Sequence, residues 1–396
     1  MKELSRIAES VQASTTMAID SLFKQMKADG VDVIGFGAGE PDFHTPDEIK
    51  AAGIQAIEQN VTRYTPAAGT VELRQAVCDR IAADCGVQYR PNQVVVTSGA
   101  KHAVYLALRA LVNPGDEVIL PAPYWVSYIE LIRMVGGVPV VVTATEAEHF
   151  KLSKEKLAAA ITPKTKALIL NNPSNPTGMA YSREELEGIA QVCVENEAYV
   201  ISDEIYYGLL YDGREFTSFA SLSPEAKELT ILINGVSKSY AMTGWRIGYA
   251  CANDRIAKVM ANYVSHSTGS PVAISQKAAA VALSGSQEKI EEMRRAFEER
   301  RNYLVGRMNR IPGVSCLCPE GAFYVMMNLE QLIGRSIQGV EITDDDVFAD
   351  AFLKKGLVAV VPGAGFGAKN FVRWSYATSM DNIREGLDRL ERFLAE

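Results

Sequence analysis

Apolar runs of four or five residues recur through the first two thirds of the chain. Each stops at a proline, glycine, asparagine or short polar cluster. Residues 93–97 (Gln-Val-Val-Val-Thr), 116–120, 138–142, 167–170, 198–201 and 229–233 fit this pattern and read as short buried strands. The segments between them carry apolar residues at helical spacing. One opens with Ser182-Arg-Glu-Glu185, a capping box ahead of Leu186, Ile189 and Cys193. Buried strands alternating with helices predict an α/β fold with a mostly parallel sheet covered on both faces.

The ends of the chain follow another rhythm. Residues 1–15 read as an arm of weak periodicity, 17–26 as an amphipathic helix, and 31–36 as a short strand. After residue 286, Ile290, Met293, Phe297, Leu304 and Met308 form one stripe of a long helix dense in Glu and Arg. Ile383, Leu387, Leu390, Phe393 and Leu394 form another at the C-terminus. This change places a large domain at 48–286. Residues 1–47 and 287–396 then supply an N-terminal arm and a smaller α+β domain.

Composition narrows the functional classes. A chain of 396 residues exceeds what one core holds, so two domains are the default. Against 48 acidic residues stand 40 basic ones, a net charge of −8 that argues against a nucleic-acid or anionic-membrane surface. The six cysteines are scattered, and none of the four histidines stands at metal-ligand spacing with one. This predicts no metal and reduced thiols in a cytoplasm. No apolar run reaches 18 residues, so no membrane span is expected.

The candidate chemistry lies at the strand ends, where open α/β sheets bind ligands. After 229–233 the chain breaks at Asn234-Gly235 and delivers Lys238 among small residues, with Arg246 eight positions later. An amine that condenses with an aldehyde and a guanidinium that forks an anion suit a phosphorylated aldehyde cofactor. Ser98-Gly99-Ala100-Lys101 leads into a helix at 102–111 and offers free amides to a phosphate. Asp203 ends another strand with Tyr206 three residues on, and a buried carboxylate there needs a partner.

These segments resemble the aminotransferases of pyridoxal phosphate (PLP) fold type I. The resemblance rests on Ser-Lys238 with Arg246 eight residues on, and on Asn171-Asn-Pro-Ser-Asn-Pro-Thr-Gly178. It covers residues 30 to the C-terminus and implies a seven-stranded, mostly parallel sheet between helices. Lys238 would be the Schiff-base lysine and then the proton carrier. Asp203 would face the pyridine nitrogen, with Asn175 and Tyr206 at the ring oxygen and Trp125 stacked on the ring. Arg246, Ser237 and the amides of Ala100 and Lys101 would hold the phosphate. Gly39 and Arg373 would bind the substrate α-carboxylate. Tyr64 would reach the phosphate of a neighbouring subunit, implying a homodimer with shared sites. Gly235 stands where the family often has serine, which removes one phosphate contact.

The stretches Pro123-Tyr-Trp-Val-Ser-Tyr128 and Ser375-Tyr-Ala-Thr378 are similar to the bacterial-type (subgroup Ib) aspartate aminotransferases. In that group a lysine in the phosphate turn, here Lys101, meets the distal carboxylate of an acidic substrate. The expected activity is ping-pong transfer of an amino group from aspartate or glutamate to a 2-oxo acid. A prephenate or aromatic aminotransferase is the alternative. A C–S β-lyase and a non-enzymatic PLP-binding sensor are weaker ones.

Overall fold

The computed structural model describes residues 3–11 and 16–395. At its centre is a seven-stranded sheet of β1 (Val94–Thr97), β2 (Glu117–Ala122), β3 (Val138–Thr143), β4 (Thr165–Asn171), β5 (Tyr199–Asp203), β6 (Thr230–Gly235) and β7 (Gly248–Cys251). Their order across the sheet is β1-β7-β6-β5-β4-β2-β3. All neighbours run parallel except β7, which is antiparallel to both β1 and β6.

Both faces of the sheet are covered, as the continuous apolar runs require. Val95, Ile169, Ile201 and Ile233 point to one side and pack with the helix Ala100–Leu111 and the helix Asp254–Ser267. Their neighbours Val94, Val96, Leu232 and Cys251 point to the other, against the helices Val71–Cys85 and Ala273–Ser284. Alternate residues of one strand thus feed two separate cores.

Three strand readings change. β3 is an edge strand, with Val138 and Val141 exposed, so its alternation carries no second buried face. β7 follows directly on the Lys238–Arg246 motif and was missed because glycine and tyrosine break the apolar pattern. The helix after β1 begins at Ala100, two residues before the expected start, because Gly99 at φ 89 takes the N-cap turn. The strand expected over 31–36 contracts to Ile34–Gly35, paired parallel with Val358–Ala359.

A second sheet holds Tyr324–Asn328 antiparallel to Phe371–Ser375, with Val361–Pro362 and Ser315–Cys316 on its flanks. Behind it lie the helices Glu288–Met308 and Met380–Ala395. Met293, Phe297, Leu304 and Met308 of the first are buried with Ile383, Leu387, Leu390 and Phe393 of the second. Ile290 is half-buried on the same stripe. Ser182 caps its helix as expected, accepting from Glu185 N at 3.2 Å while Glu185 accepts from Ser182 N at 2.7 Å. The expected amphipathic helix runs over Thr16–Ala28. Within the expected arm, Arg6–Ser10 forms a short helix, and residues 1, 2 and 12–15 lie outside the described residues.

Candidate active site

The carboxyl ends of β4, β5 and β6 open on a cavity of about 720 Å³, and the second sheet supplies its opposite wall. Lys238, Asp203, Arg373, Arg246, Lys101 and Trp125 all line it. So do Gly39, Ala100, Asn175, Tyr206 and Ser237. Of the residues expected to touch cofactor or substrate, Tyr64 lies elsewhere. It is 96% exposed on the loop before the helix Val71–Cys85 and does not line this chain's own cavity.

Asp203 closes β5, and its carboxylate is buried. One oxygen accepts from Tyr128 Oη at 2.6 Å and the other from the Ile205 amide at 3.2 Å. Burial raises its pKa to about 6, against the opposing pull of the Tyr128 hydroxyl, the Ile205 amide and the Lys238 charge. The Asp203 carbonyl is engaged as well, accepting from Asn171 Nδ2 at 2.9 Å. Asn171 Oδ1 in turn accepts from the Asn175 amide at 2.7 Å. Asn171 thus fixes the loop of Asn175 to the end of β5.

Lys238 follows β6 and donates to the Gly39 carbonyl. Its pKa falls to about 8, first through burial. The Glu40 carboxylate resists that fall, while the Arg373 and Arg246 charges add to it. An amine so placed is largely neutral at mildly alkaline pH, the state a nucleophile or base needs.

Arg373 sits in the middle of the buried strand Phe371–Ser375, opposite Met326. It donates to Asn175 Oδ1 at 2.9 Å and to the Gly37 carbonyl at 3.0 Å. Its guanidinium lies 4.5 Å from the Tyr324 ring centre and 4.9 Å from that of Phe366. Nε has no partner among the described residues, so this buried cation faces neutral groups only. A carboxylate entering the cavity would complete it.

The end of the cavity lined by Ala100, Lys101 and Arg246 depends on backbones in close contact. Arg246 is held at φ 59, and its guanidinium donates to the Thr243 and Ser98 carbonyls at 2.9 and 3.2 Å. A Cβ on Gly99 would lie 2.3 Å from Nη2 of Arg246. A Cβ on Gly248 would lie 2.3 Å from the Ala100 nitrogen. Gly235 pairs with Gly248, and a Cβ there would come within 2.9 Å of its Cα. The glycine at 235 is therefore a packing requirement. It lets β7 press the Ser98–Lys101 turn and Arg246 together.

A family model for aminotransferase class I and II matches residues 31–390. The chain is 48% identical over 395 residues to an aspartate aminotransferase of Bacillus sp. (strain YM-2), covering 100% of both chains. It is 46% identical over 397 residues to an aspartate/prephenate aminotransferase of Cereibacter sphaeroides, covering 100% of this chain and 99% of that one. The chain belongs to the class I and II aminotransferases. Among solved structures, the aspartate aminotransferase of Thermus thermophilus with maleate superposes with a TM-score of 0.94 at 41% identity, over 100% of both chains. That of Rhizobium meliloti gives 0.97 at 39%, over 100% of this chain and 99% of the other.

Within this aminotransferase, several site residues escaped the sequence reading. Tyr128, at the end of the stretch 123–128 and within the helix Ser127–Met134, binds Asp203, a role that stretch did not carry. Tyr324 meets Tyr206 hydroxyl to hydroxyl at 3.0 Å across the cavity wall. It comes from a segment 118 residues away, a pairing no local pattern carries. Glu40 lines the cavity as well, where its charge acts on Lys238. Among the described residues no helix is long and apolar enough to cross a membrane, and no cluster of metal ligands occurs.

Proposed function

We propose that this aminotransferase uses pyridoxal phosphate and moves the amino group of aspartate or glutamate to a 2-oxo acid. One observation supports the reading above the rest: Lys238, buried Asp203 and under-partnered Arg373 converge on a single cavity from three separate segments. The donor set fits that cofactor. Arg246, Ser237 and the amides of Ala100 and Lys101 would hold its phosphate, with the missing Cβ of Gly99 letting the Arg246 guanidinium lie against that turn. Asp203 would bind the ring nitrogen, Asn175 and Tyr206 the ring oxygen, and Trp125 the ring face. When bound, the cofactor supplies an aldehyde carbon for amine exchange and a ring that withdraws electrons from the substrate Cα.

The chain's own residues do the rest. Arg373 forks the substrate α-carboxylate, aided by the backbone of Gly39. Lys101, whose ammonium stands 4.8 Å from the Trp125 ring centre, meets the distal carboxylate. Burial and the nearby Arg246 charge lower its pKa, so an anion beside it relieves both penalties. Lys238 takes the proton from the substrate Cα, which the two clamped carboxylates hold in reach. Movement of residues 1–47 and 287–396 against 48–286 would exclude water from the closed site. Tyr64, exposed and remote from its own cavity, would serve the phosphate of a second copy in a homodimer. A cytoplasmic location belongs to the same proposal.

Lys101 does not distinguish aspartate from a larger dicarboxylate. The relative from Cereibacter sphaeroides, whose name includes prephenate, makes prephenate the second acceptor to test. A half-reaction panel of Asp, Glu, Phe, Tyr, Ala and cystathionine, read by absorbance, tests the reading. Fast spectral conversion by Asp and Glu is expected. Pyruvate release from cystathionine without amino transfer would replace the transaminase with a lyase.

A further inference from the structure

Directly after Asp203 stands a second buried acid that the proposed reaction does not use. Glu204 is 1% exposed. Its Oε1 accepts from Ser202 Oγ at 2.8 Å, Ser218 Oγ at 2.9 Å and the Phe219 amide at 3.1 Å. Its Oε2 is buried without a partner among the described residues. The three donors lie on both sides of one excursion of the chain. Ser202 is in β5, immediately before Asp203. Ser218 and Phe219 are where the chain returns to the core after residues 205–217, which carry Tyr206 into the cavity wall.

We propose that Glu204 is a positioning residue: its carboxyl ties the end of β5 to Ser218 and Phe219, and so fixes how Asp203 and Tyr206 are presented to the cavity. The backbone carries the same arrangement, since the Glu204 amide donates to the Ile233 carbonyl of β6 at 2.9 Å. Loss of the carboxyl frees the far end of the excursion while leaving β5 and β6 paired.

The tie works with Glu204 in its neutral form. A carboxylate here would leave Oε2 as a bare charged oxygen in an apolar core, which costs more than a protonated one. The titratable groups that sense its charge are Asp203 on β5, Cys85 and Tyr89 from the end of the helix Val71–Cys85 and beyond, and Cys251 on β7. None is a cation. Burial accordingly raises the Glu204 pKa to about 7, against the three donors. A neutral Glu204 also spares Asp203 a second negative charge next to it.

The inference rests on the cofactor reading for its consequence but not for its first test. Glu204→Gln and Glu204→Ala are compared with the wild type, first as ligand-free protein. Hydrogen exchange of residues 204–219 is expected to rise in E204A and stay at the wild-type rate in E204Q, whose amide oxygen still accepts. The Tm of the wild type should fall relative to E204Q as pH rises from about 4.5 to about 7 and level off above it, because over that range the unfolded wild type ionises Glu204 while the folded form keeps its proton. Unchanged exchange in E204A, or wild-type and E204Q Tm curves that run parallel, would overturn the proposal.

Pyridoxal phosphate titration then follows. E204A is expected to bind it about tenfold more weakly and E204Q within about twofold of the wild type. Equal affinity in all three proteins would overturn the link to Asp203. Absence of binding by the wild type itself would overturn the cofactor reading and leave the exchange and Tm results to judge Glu204.

Discussion

The helix Glu288–Met308 and the cavity wall are both rich in charge, yet they use it in opposite ways. On the helix, Arg294 pairs with Glu291 at 2.7 Å and Glu298 at 2.8 Å, and Arg295 pairs with Glu291 at 2.8 Å. These are neighbours at three and four residues' spacing, in or near water, and Glu291 is held down at about 2 by its arginines. In the cavity, the charged groups come from distant segments and are left short of counter-charges. Arg373 has only neutral acceptors, Lys238 donates to a carbonyl, and Asp203 is bound by a hydroxyl and an amide. Charge that the fold satisfies serves the surface. Charge that it leaves unsatisfied marks where a ligand completes the protein.

That contrast can be broken at four points. The largest effect is expected at Arg373. Arg373→Ala should lower kcat/KM for aspartate by roughly 10²- to 10³-fold, since a clamped carboxylate loses its buried cation. Steady-state kinetics of purified holoenzyme check it, and a loss under tenfold would move the α-carboxylate elsewhere.

Next is Asp203 in ligand-free protein. A carboxyl whose pKa rises from 3.8 to about 6 on folding binds more protons folded than unfolded. Its contribution is complete below about 4 and is lost as pH rises through about 6. The wild type should therefore lose about 3 kcal/mol relative to Asp203→Asn across that window. Denaturant unfolding of both proteins at pH 4 and pH 7 measures it. Identical pH dependence would mean that the carboxylate is solvated.

Lys101→Ala comes third. It should raise KM for aspartate by about 10- to 50-fold and barely alter that for alanine, the worth of one charged hydrogen bond. Equal effects on both substrates would remove Lys101 from distal-carboxylate binding. The smallest effect is expected on the helix. Arg295, with its side chain 71% exposed, should change stability by less than about 0.5 kcal/mol on conversion to alanine. A larger loss would erase the contrast itself.

What the sequence made legible follows the same division. Six strands of the central sheet were readable because each is a continuous apolar run ending in a turn. β7 was not, because Gly248 is selected by the backbone of Ala100 and not by hydrophobicity. Lys238, Asn175 and Asp203 were legible because their neighbours in sequence form a motif. Tyr128, Tyr324 and Glu204 were not. Their partners lie 75, 118 and up to 15 residues away, and their roles exist only once the chain has folded. The meaning of Gly235 was also out of reach: a lost serine contact in one dimension is a required close approach in three.

The central claim is that the Lys238 amine, lowered to about 8 and facing Asp203 across the cavity, is the one that captures an aldehyde. Borohydride reduction of the protein loaded with pyridoxal phosphate, followed by peptide mapping, tests it directly. The account predicts a single stoichiometric label on Lys238. A label on Lys101 or another lysine, with Lys238 unmodified in active protein, would contradict it.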